Sequence, residues 1–262
     1  MKFTNNSTIE KYTPEQQGSG AFDGGKITEI KPIDFPGGTS QSKRIGPLFY
    51  WAWASANGDG VIGMHPHQAF EIMSYVIEGE IGHSDSGGNK SRVGEGGAQV
   101  MQTGSGIYHQ EEMFGDRTDF FQIWFEPYLR ESIRKQPTYN EYGHEDFFIK
   151  EENGATVKSI LGSESQIMLD AEVAMDDVTV KAGHAYSINI RAGYGLAVMT
   201  IAGAGAWKNS ENDTECEIDK RDFVVIRASE NETISVEAAN QADLRLAILE
   251  VPLKVDYPLY GE

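Results

Sequence analysis

The stretch Gly63-Met64-His65-Pro66-His67-Gln68-Ala69-Phe70-Glu71 places two imidazoles one residue apart. Alternate side chains of a strand point to the same face, so a strand over 65–75 puts His65, His67 and Glu71 on one face, with Ala69 and Met73 between and beyond them. At a rise of ~3.3 Å per residue the two histidine Cα atoms stand about 6.5–7 Å apart, within reach of one metal ion through bonds of ~2.1 Å. Pro66 points the other way, and its missing N–H suits a strand start or a sheet edge. A third imidazole comes 42 residues after His67, in Gly106-Ile107-Tyr108-His109-Gln110-Glu111-Glu112, followed by two carboxylates. Three neutral imidazoles and one carboxylate leave a divalent ion with one or two open positions. Such a mixed N/O set suits Fe(II), with Zn, Mn, Co, Ni or Cu as competitors. An ion held this way polarises a bound oxygen donor, orients a chelating molecule and, if redox-active, engages O2. A structural zinc site normally saturates its four positions, so it ranks below these.

The residues between the histidines are those of strands and turns. Ile72 to Ile77 is apolar, β-branched and aromatic, and Gly79, Gly82 and Asp85 break the pattern after it. Arg92 to Met101 passes through a glycine-rich turn into another strand. Upstream, Lys26–Lys31 alternates as a strand and Leu48–Ala54 reads as a buried aromatic strand, while residues 1–25 read as a polar, glycine-rich lead-in, ordered by docking or flexible. His83, at a hairpin end, and His144, among Glu141, Glu145 and Asp146, read as solvated histidines. Met64, Phe70, Met73, Met101 and Tyr108 are candidates for apolar pocket walls, and each is more commonly barrel core. Periodicity weakens after Pro127, with a helical stretch near Tyr128–Lys135. From about Gln166, seven further apolar runs alternate with Gly, Asp and Asn turns, the spacing of a second barrel. Val76-Ile77-Glu78-Gly79 lines up with Thr200-Ile201-Ala202-Gly203 at an offset of 124, which sets His65 against Asn189 and His67 against Arg191. Anchored on the strand entries Gly97 and Asp222, His109 falls near Ile234. The second barrel is therefore expected to hold no metal. His184 reads as one of its turn residues.

At these residues the chain resembles the pirin family of the cupin superfamily. The resemblance is carried by His65-Pro66-His67 with Phe70-Glu71, by Tyr75-Val76-Ile77-Glu78-Gly79-Glu80, by Gln99 through His109, and by Phe121-Gln122-Ile123-Trp124. It is dense from Gly46 to Pro127 and collinear beyond. It implies an all-β chain of two tandem cupin barrels: an N-terminal metal-binding barrel over 1–135, a connecting segment over 136–165 and a degenerate barrel over 166–262. It also implies that His65, His67, His109 and Glu111 are the metal ligands, with Glu111 the catalytic carboxylate. Glu112 replaces it if there is a local insertion, and the broader cupin pattern selects Glu71. The implied reaction is a dioxygenation that opens a flavonol-like substrate with O2. Other readings are an iron-binding redox regulator that docks on a partner protein, and a different cupin reaction on another small metabolite. One departure stands beside the second histidine, where Gln68-Ala69 replaces the family's usual Arg-Gly.

A chain of 262 residues supports one large or two ordinary domains. The formal net charge of −18 argues against nucleic-acid and anionic-membrane surfaces, which need clustered Lys and Arg. The single cysteine, Cys216, lies in a polar run and forms no intramolecular disulfide, which fits a reducing compartment. No signal-like core follows Met1, and no run of ~18 apolar residues occurs, so a cytoplasmic, monomeric protein without a membrane span is expected.

Overall fold

The computed structural model describes residues 7–209 and 214–260. The chain is all-β. Its strands are β1 (Ser7–Tyr12), β2 (Gly18–Phe22), β3 (Ile27–Ile33), β4 (Leu48–Asn57), β5 (Gly60–His67), β6 (Glu71–Asp85), β7 (Lys90–Gly94), β8 (Ala98–Gln102), β9 (Ile107–Phe125) and β10 (Thr138–Tyr142). They continue as β11 (Phe148–Glu152), β12 (Ala155–Leu161), β13 (Ala174–Val180), β14 (Ala185–Ile190), β15 (Tyr194–Ala202), β16 (Ala204–Asn209), β17 (Thr214–Asp219), β18 (Phe223–Ala228), β19 (Glu232–Ala238) and β20 (Leu244–Pro252). One four-residue helix, α1 (Leu129–Ser132), falls within the expected helical stretch. No helix among the described residues is long and apolar enough to cross a membrane.

The strands divide into two compact units. The front unit comprises Gln16–Phe147 with Leu169–Ala171 and the tail from Asp256. The rear unit comprises Phe148–Met168 and Glu172–Val255 together with β1. Pairing sets these limits. Residues 1–25 read as a lead-in either ordered by docking or flexible, and from Ser7 on it is docked: β1 pairs with β18 and β2 pairs with β3. The expected connector, 136–165, is largely strand: β10 extends the front sheet beside β8, and β11 and β12 close the edge of the rear seven-stranded sheet.

The front unit is one nine-stranded sheet curled on itself, in the order β10-β8-β6-β9-β4-β3-β2, with β5 added to β9 and β7 to β6. Two strands longer than the sequence suggests make the curl. β6 bends at Gly79 and β9 bends at Gly115, and both glycines have positive φ. A Cβ on Gly79 would fall 2.3 Å from the Arg117 carbonyl, so the bend has no room for another residue. Each bent strand becomes two arms that face across the interior. Nearest the bends the arms are joined by a plug that includes Val76, Ile81, Met113 and Phe120, together with Ile27 of β3 and Ala54 of β4. One layer further along, Ser74 and His83 of β6 meet Glu111 and Gln122 of β9. Beyond that come His109 and Trp124.

The rear unit has the same strand logic but a different filling. Sheets β1-β18-β15-β20-β13-β12-β11 and β14-β19-β16-β17 enclose a core built around Trp207, with Ile190, Ile218, Ile234 and Leu246 among its members. Ile234 is therefore core. Asn189 is exposed and accepts a hydrogen bond from Thr233, and Arg191 reaches Glu250 at 2.6 Å.

A three-histidine candidate metal centre

β5 is an edge strand whose period-2 alternation turns His65 and His67 inward and leaves Met64 and Pro66 exposed. The same alternation along β9 turns His109 and Glu111 inward. β5 pairs with β9 in a register that sets His65 opposite His109. Cross-strand pairing thus supplies the third ring, 44 residues away from His65. The three imidazoles form one group, each with a ring nitrogen within 4.8 Å of the others'. Their centroids lie 4.4–4.9 Å apart.

His65 Nδ1 lies 2.8 Å from the Gly63 carbonyl, which can only accept, so the proton sits on Nδ1 and the lone pair on Nε2. That Nε2 faces the His109 Nε2 at 3.0 Å. Two donors at right angles on one ion, with bonds of ~2.1 Å, would be about 3.0 Å apart, whereas tetrahedral angles would need about 3.4 Å. The His67 Nε2 is buried and has no hydrogen-bond partner. Burial, followed by repulsion from the neighbouring rings, holds both His67 and His109 down to about 3. Both rings are therefore neutral at pH 7, with lone pairs to give. The donor set fits a divalent ion: three nitrogens, one of them orphaned, and no thiolate.

The carboxylates are placed differently. A continuous strand over 65–75 would put Glu71 on the histidine face. The strand instead breaks at residues 68–70, where Ala69 takes φ +71°. Glu71 then resumes in β6 and accepts hydrogen bonds from Gln102 (2.6 Å) and from the Asp170 and Ala171 amides (2.7 and 2.9 Å). It takes no part in the histidine group. Glu112 alternates away from the interior. Glu111 is interior and buried, one layer below His109, but its carboxylate lies outside the three-histidine group. It accepts from Ser74 Oγ at 3.1 Å and from Gln122 Nε2 at 2.9 and 2.7 Å. Gln122 is itself oriented by Trp124 Nε1, which donates to Gln122 Oε1 at 3.1 Å.

Trp124 also stands edge-on to the His67 ring at 4.6 Å, and joins an aromatic wall of Phe35, Phe49, Tyr50 and Phe70. Phe35 is partly exposed and stacks flat on Tyr50 at 4.4 Å. Of the wall candidates named from sequence, only Phe70 is in this cluster. Met64 and Tyr108 are exposed on the outer face, and Met73 is fully buried. His83 is a correction: it is not solvated but buried at the site's flank. It donates from Nε2 to Asp85 at 2.9 Å, lies flat on Tyr139 at 3.9 Å, and its ring centroid is 5.3 Å from that of His109. The hairpin it belongs to ends two residues later, so its glycine and aspartate neighbours suggested solvent, and only the alternation from Ile81 pointed inward.

Comparison with known proteins bears on the family and the fold. The family model for pirin matches residues 51–125. A provisionally named quercetin 2,3-dioxygenase of Zymomonas mobilis is 31% identical over 195 residues, covering 72% of this chain and 77% of its own length. Another of Pseudomonas aeruginosa is 42% identical over 125 residues, covering 45% of this chain and 50% of its own. The chain spans about half the length of this and of the tomato pirin-like protein it matches, 50% and 53%. Among solved structures, the bacterial pirin YhhW of Escherichia coli in complex with nickel(II) superposes with a TM-score of 0.74 at 21% identity, covering 95% of this chain and all of that one. GK1651 of Geobacillus kaustophilus gives 0.80 at 20% identity, with 97% and 98% covered. At these identities the structures speak for the two-barrel fold alone.

Proposed function

This chain belongs to the pirin family of the cupin superfamily, and from that premise we propose that it is a metal-dependent dioxygenase that opens flavonol-like substrates with O2. The observation that carries the reading is the group of three converging imidazoles, with His67 and His109 held neutral, beside an aromatic wall. His65, His67 and His109 would hold the ion, most suitably Fe(II), with Glu111 as the fourth donor. The bound ion would polarise adjacent oxygens of a chelating substrate and bring O2 to it. The protein's own groups do the rest. Trp124, Phe70 and Phe35 offer faces and edges to a flat aromatic ring. Glu111 is the carboxylate best placed to take the enolic proton: it is interior, follows His109 on the same strand face, and is aimed by Ser74 and Gln122. Exclusion of water by the apolar plug beneath strengthens these electrostatic interactions.

The reading is tested by loading metal-free protein with Fe(II), and in parallel with Mn, Co, Ni, Cu and Zn, then following O2 uptake and carbon monoxide release with quercetin. Uptake by at least one loaded form, lost in His67→Ala, supports it. No uptake with any of these metals across a panel of flavonols and catechols would overturn it.

A further inference from the structure

Beside the apolar plug the front interior holds a second carboxylate that the metal centre does not use. Glu29 lies two residues from Ile27, a member of the apolar plug, on the same face of β3, and is 6% exposed. Its cross-strand partner is Gly20, where a Cβ would fall 2.7 Å from Glu29 Oε2, so glycine makes the space the carboxyl occupies. The two acids are provided for differently. Glu111 accepts from Ser74 and twice from Gln122, whereas Glu29 meets the Tyr50 hydroxyl in one long contact, 3.5 Å to each oxygen. The charges facing Glu29 are Lys31 on its own strand, Glu111 on β9 and Asp34 in the following loop. Lys31 is engaged by Asp34 at 3.2 Å. Burial, together with Glu111 and Asp34, outweighs Lys31 and Tyr50 and pushes the Glu29 carboxyl up to about 7. A buried carboxyl with so few partners is commonly held neutral and serves as a proton carrier.

We propose that Glu29 is a positioning residue carried as a neutral acid, which holds the Tyr50 hydroxyl and sets the pH range over which the interior admits an anionic oxygen ligand of the enolate or phenolate class. The ligand class rests on the dioxygenase reading; the neutral acid does not. Tyr50 transmits the effect, because its ring is stacked on Phe35 and packed 5.3 Å from Trp124, which abuts His67. Once Glu29 loses its proton, a negative charge stands in the interior behind Tyr50 and opposes an incoming oxygen anion.

The test is infrared titration of the carboxyl C=O stretch, paired with quercetin affinity from pH 6 to 8, in the wild type, Glu29→Gln and Tyr50→Phe. The wild type should show a neutral-carboxyl band that fades through about pH 7 and is missing from Glu29→Gln. Tyr50→Phe deletes one oxygen and a hydrogen bond to the carboxylate, so it should move the fade to higher pH. Quercetin affinity should fall about tenfold further from pH 6 to 8 in the wild type than in Glu29→Gln, the size of one pK unit of coupling. If Glu29→Gln does not fold, the shift in Tyr50→Phe decides. A wild type lacking the band overturns the proposal whatever it binds, as do affinities that run parallel in the wild type and Glu29→Gln. A wild type that keeps the band but binds no flavonol upholds the neutral acid and overturns the dioxygenase reading.

Discussion

Ala69 tests whether the backbone beside the second histidine is strained, and the size of the effect can be worked from the structure. Its φ of +71° lies in the left-handed region, which costs an L-residue about 1–2 kcal/mol. Neighbouring groups hold it there: its N–H donates to Gly104 at 2.9 Å, its carbonyl accepts from Ser132 Oγ at 2.6 Å, and Gln68 Nε2 donates to the Ser105 carbonyl at 2.9 Å. Ala69→Gly relieves the strain, but it frees the unfolded chain by about 0.5–1 kcal/mol and gives up a buried methyl worth about 0.8 kcal/mol. These nearly cancel, so the variant should sit within about 1 kcal/mol of wild type. Ala54→Gly is the control: Ala54 is equally buried, in β4, and its φ is ordinary. With no strain to relieve, it should lose about 1.5 kcal/mol or more. Ala69→Val should lose about 2 kcal/mol or more, since branching at Cβ deepens the clash. Urea denaturation of the three metal-free variants at one pH decides the matter. If Ala69→Gly is as destabilising as Ala54→Gly, the turn is not strained and its three hydrogen bonds do not hold it against a backbone preference.

His67→Ala and His109→Ala should each lose bound metal while retaining the fold, whereas Asn189→Ala and Arg191→Ala should leave metal content unchanged. Elemental analysis showing full metal in both histidine variants would refute the ligand assignment. Gln122→Leu removes two of the three bonds to Glu111 and the acceptor of Trp124 Nε1, and should cost about 10–100-fold in activity or metal affinity, as supporting groups around metal sites commonly do. Unchanged kinetics and metal affinity would show that Glu111 needs no such support. For the metal-free protein, His67 and His109 take up protons only near 3 when folded, against 6.5 for an unfolded imidazole. The unfolded chain therefore binds protons first as pH falls through 6.5. The stability is full above that pH and is lost below it, by at most about 1.4 kcal/mol per pH unit per imidazole. A urea midpoint that stays flat from pH 7.5 to 5 would contradict this.

The strand signals, the two-barrel plan and the histidine pair could be read from the sequence because they are local. His65 and His67 are two residues apart, and the Gly106-Ile107-Tyr108-His109 phrase marks the third ring. Its meeting with His65 requires only one β5–β9 register. The features that escaped are those that depend on the bends. Gln122 is eleven residues from Glu111, an interval that says nothing until Gly115 turns β9 back on itself. Ser74 reaches Glu111 by the same device at Gly79. Phe35, read as part of a loop, is a wall of the site because the chain after β3 lays it on Tyr50. Glu71 misleads for a simpler reason: a strand carried through 68–70 keeps its parity with His67, and one left-handed residue at Ala69 ends that continuity.

The front interior is an unfavourable place to put so many polar groups, and the way it is built shows what offsets them. Desolvating imidazoles and carboxyls costs free energy unless they find partners. The carboxylate layer finds them within the same two strands: Ser74 on β6 and Gln122 on β9 both serve Glu111, so one pair of bends provides both the acid and its donors. Below that layer lies an apolar cluster, with Val76, Ile81, Met113 and Phe120 at the bends themselves, so the hydrophobic contribution is concentrated where the strands turn. Above it, the rings of His67 and His109 are left with the buried Nε2 and Nδ1 atoms that no protein group satisfies. In the rear unit the corresponding interior is filled by Trp207 and its neighbours, and the residues aligned with the histidines face outward or belong to the core. The same strand scheme thus gives a packed barrel where the interior is apolar throughout. It gives a candidate reactive centre where two glycine bends allow a polar layer to stand on an apolar one. The unsatisfied His67 Nε2, which belongs to the three-histidine group, is then best explained as a place for a ligand, since burial without a partner would otherwise only weaken the fold.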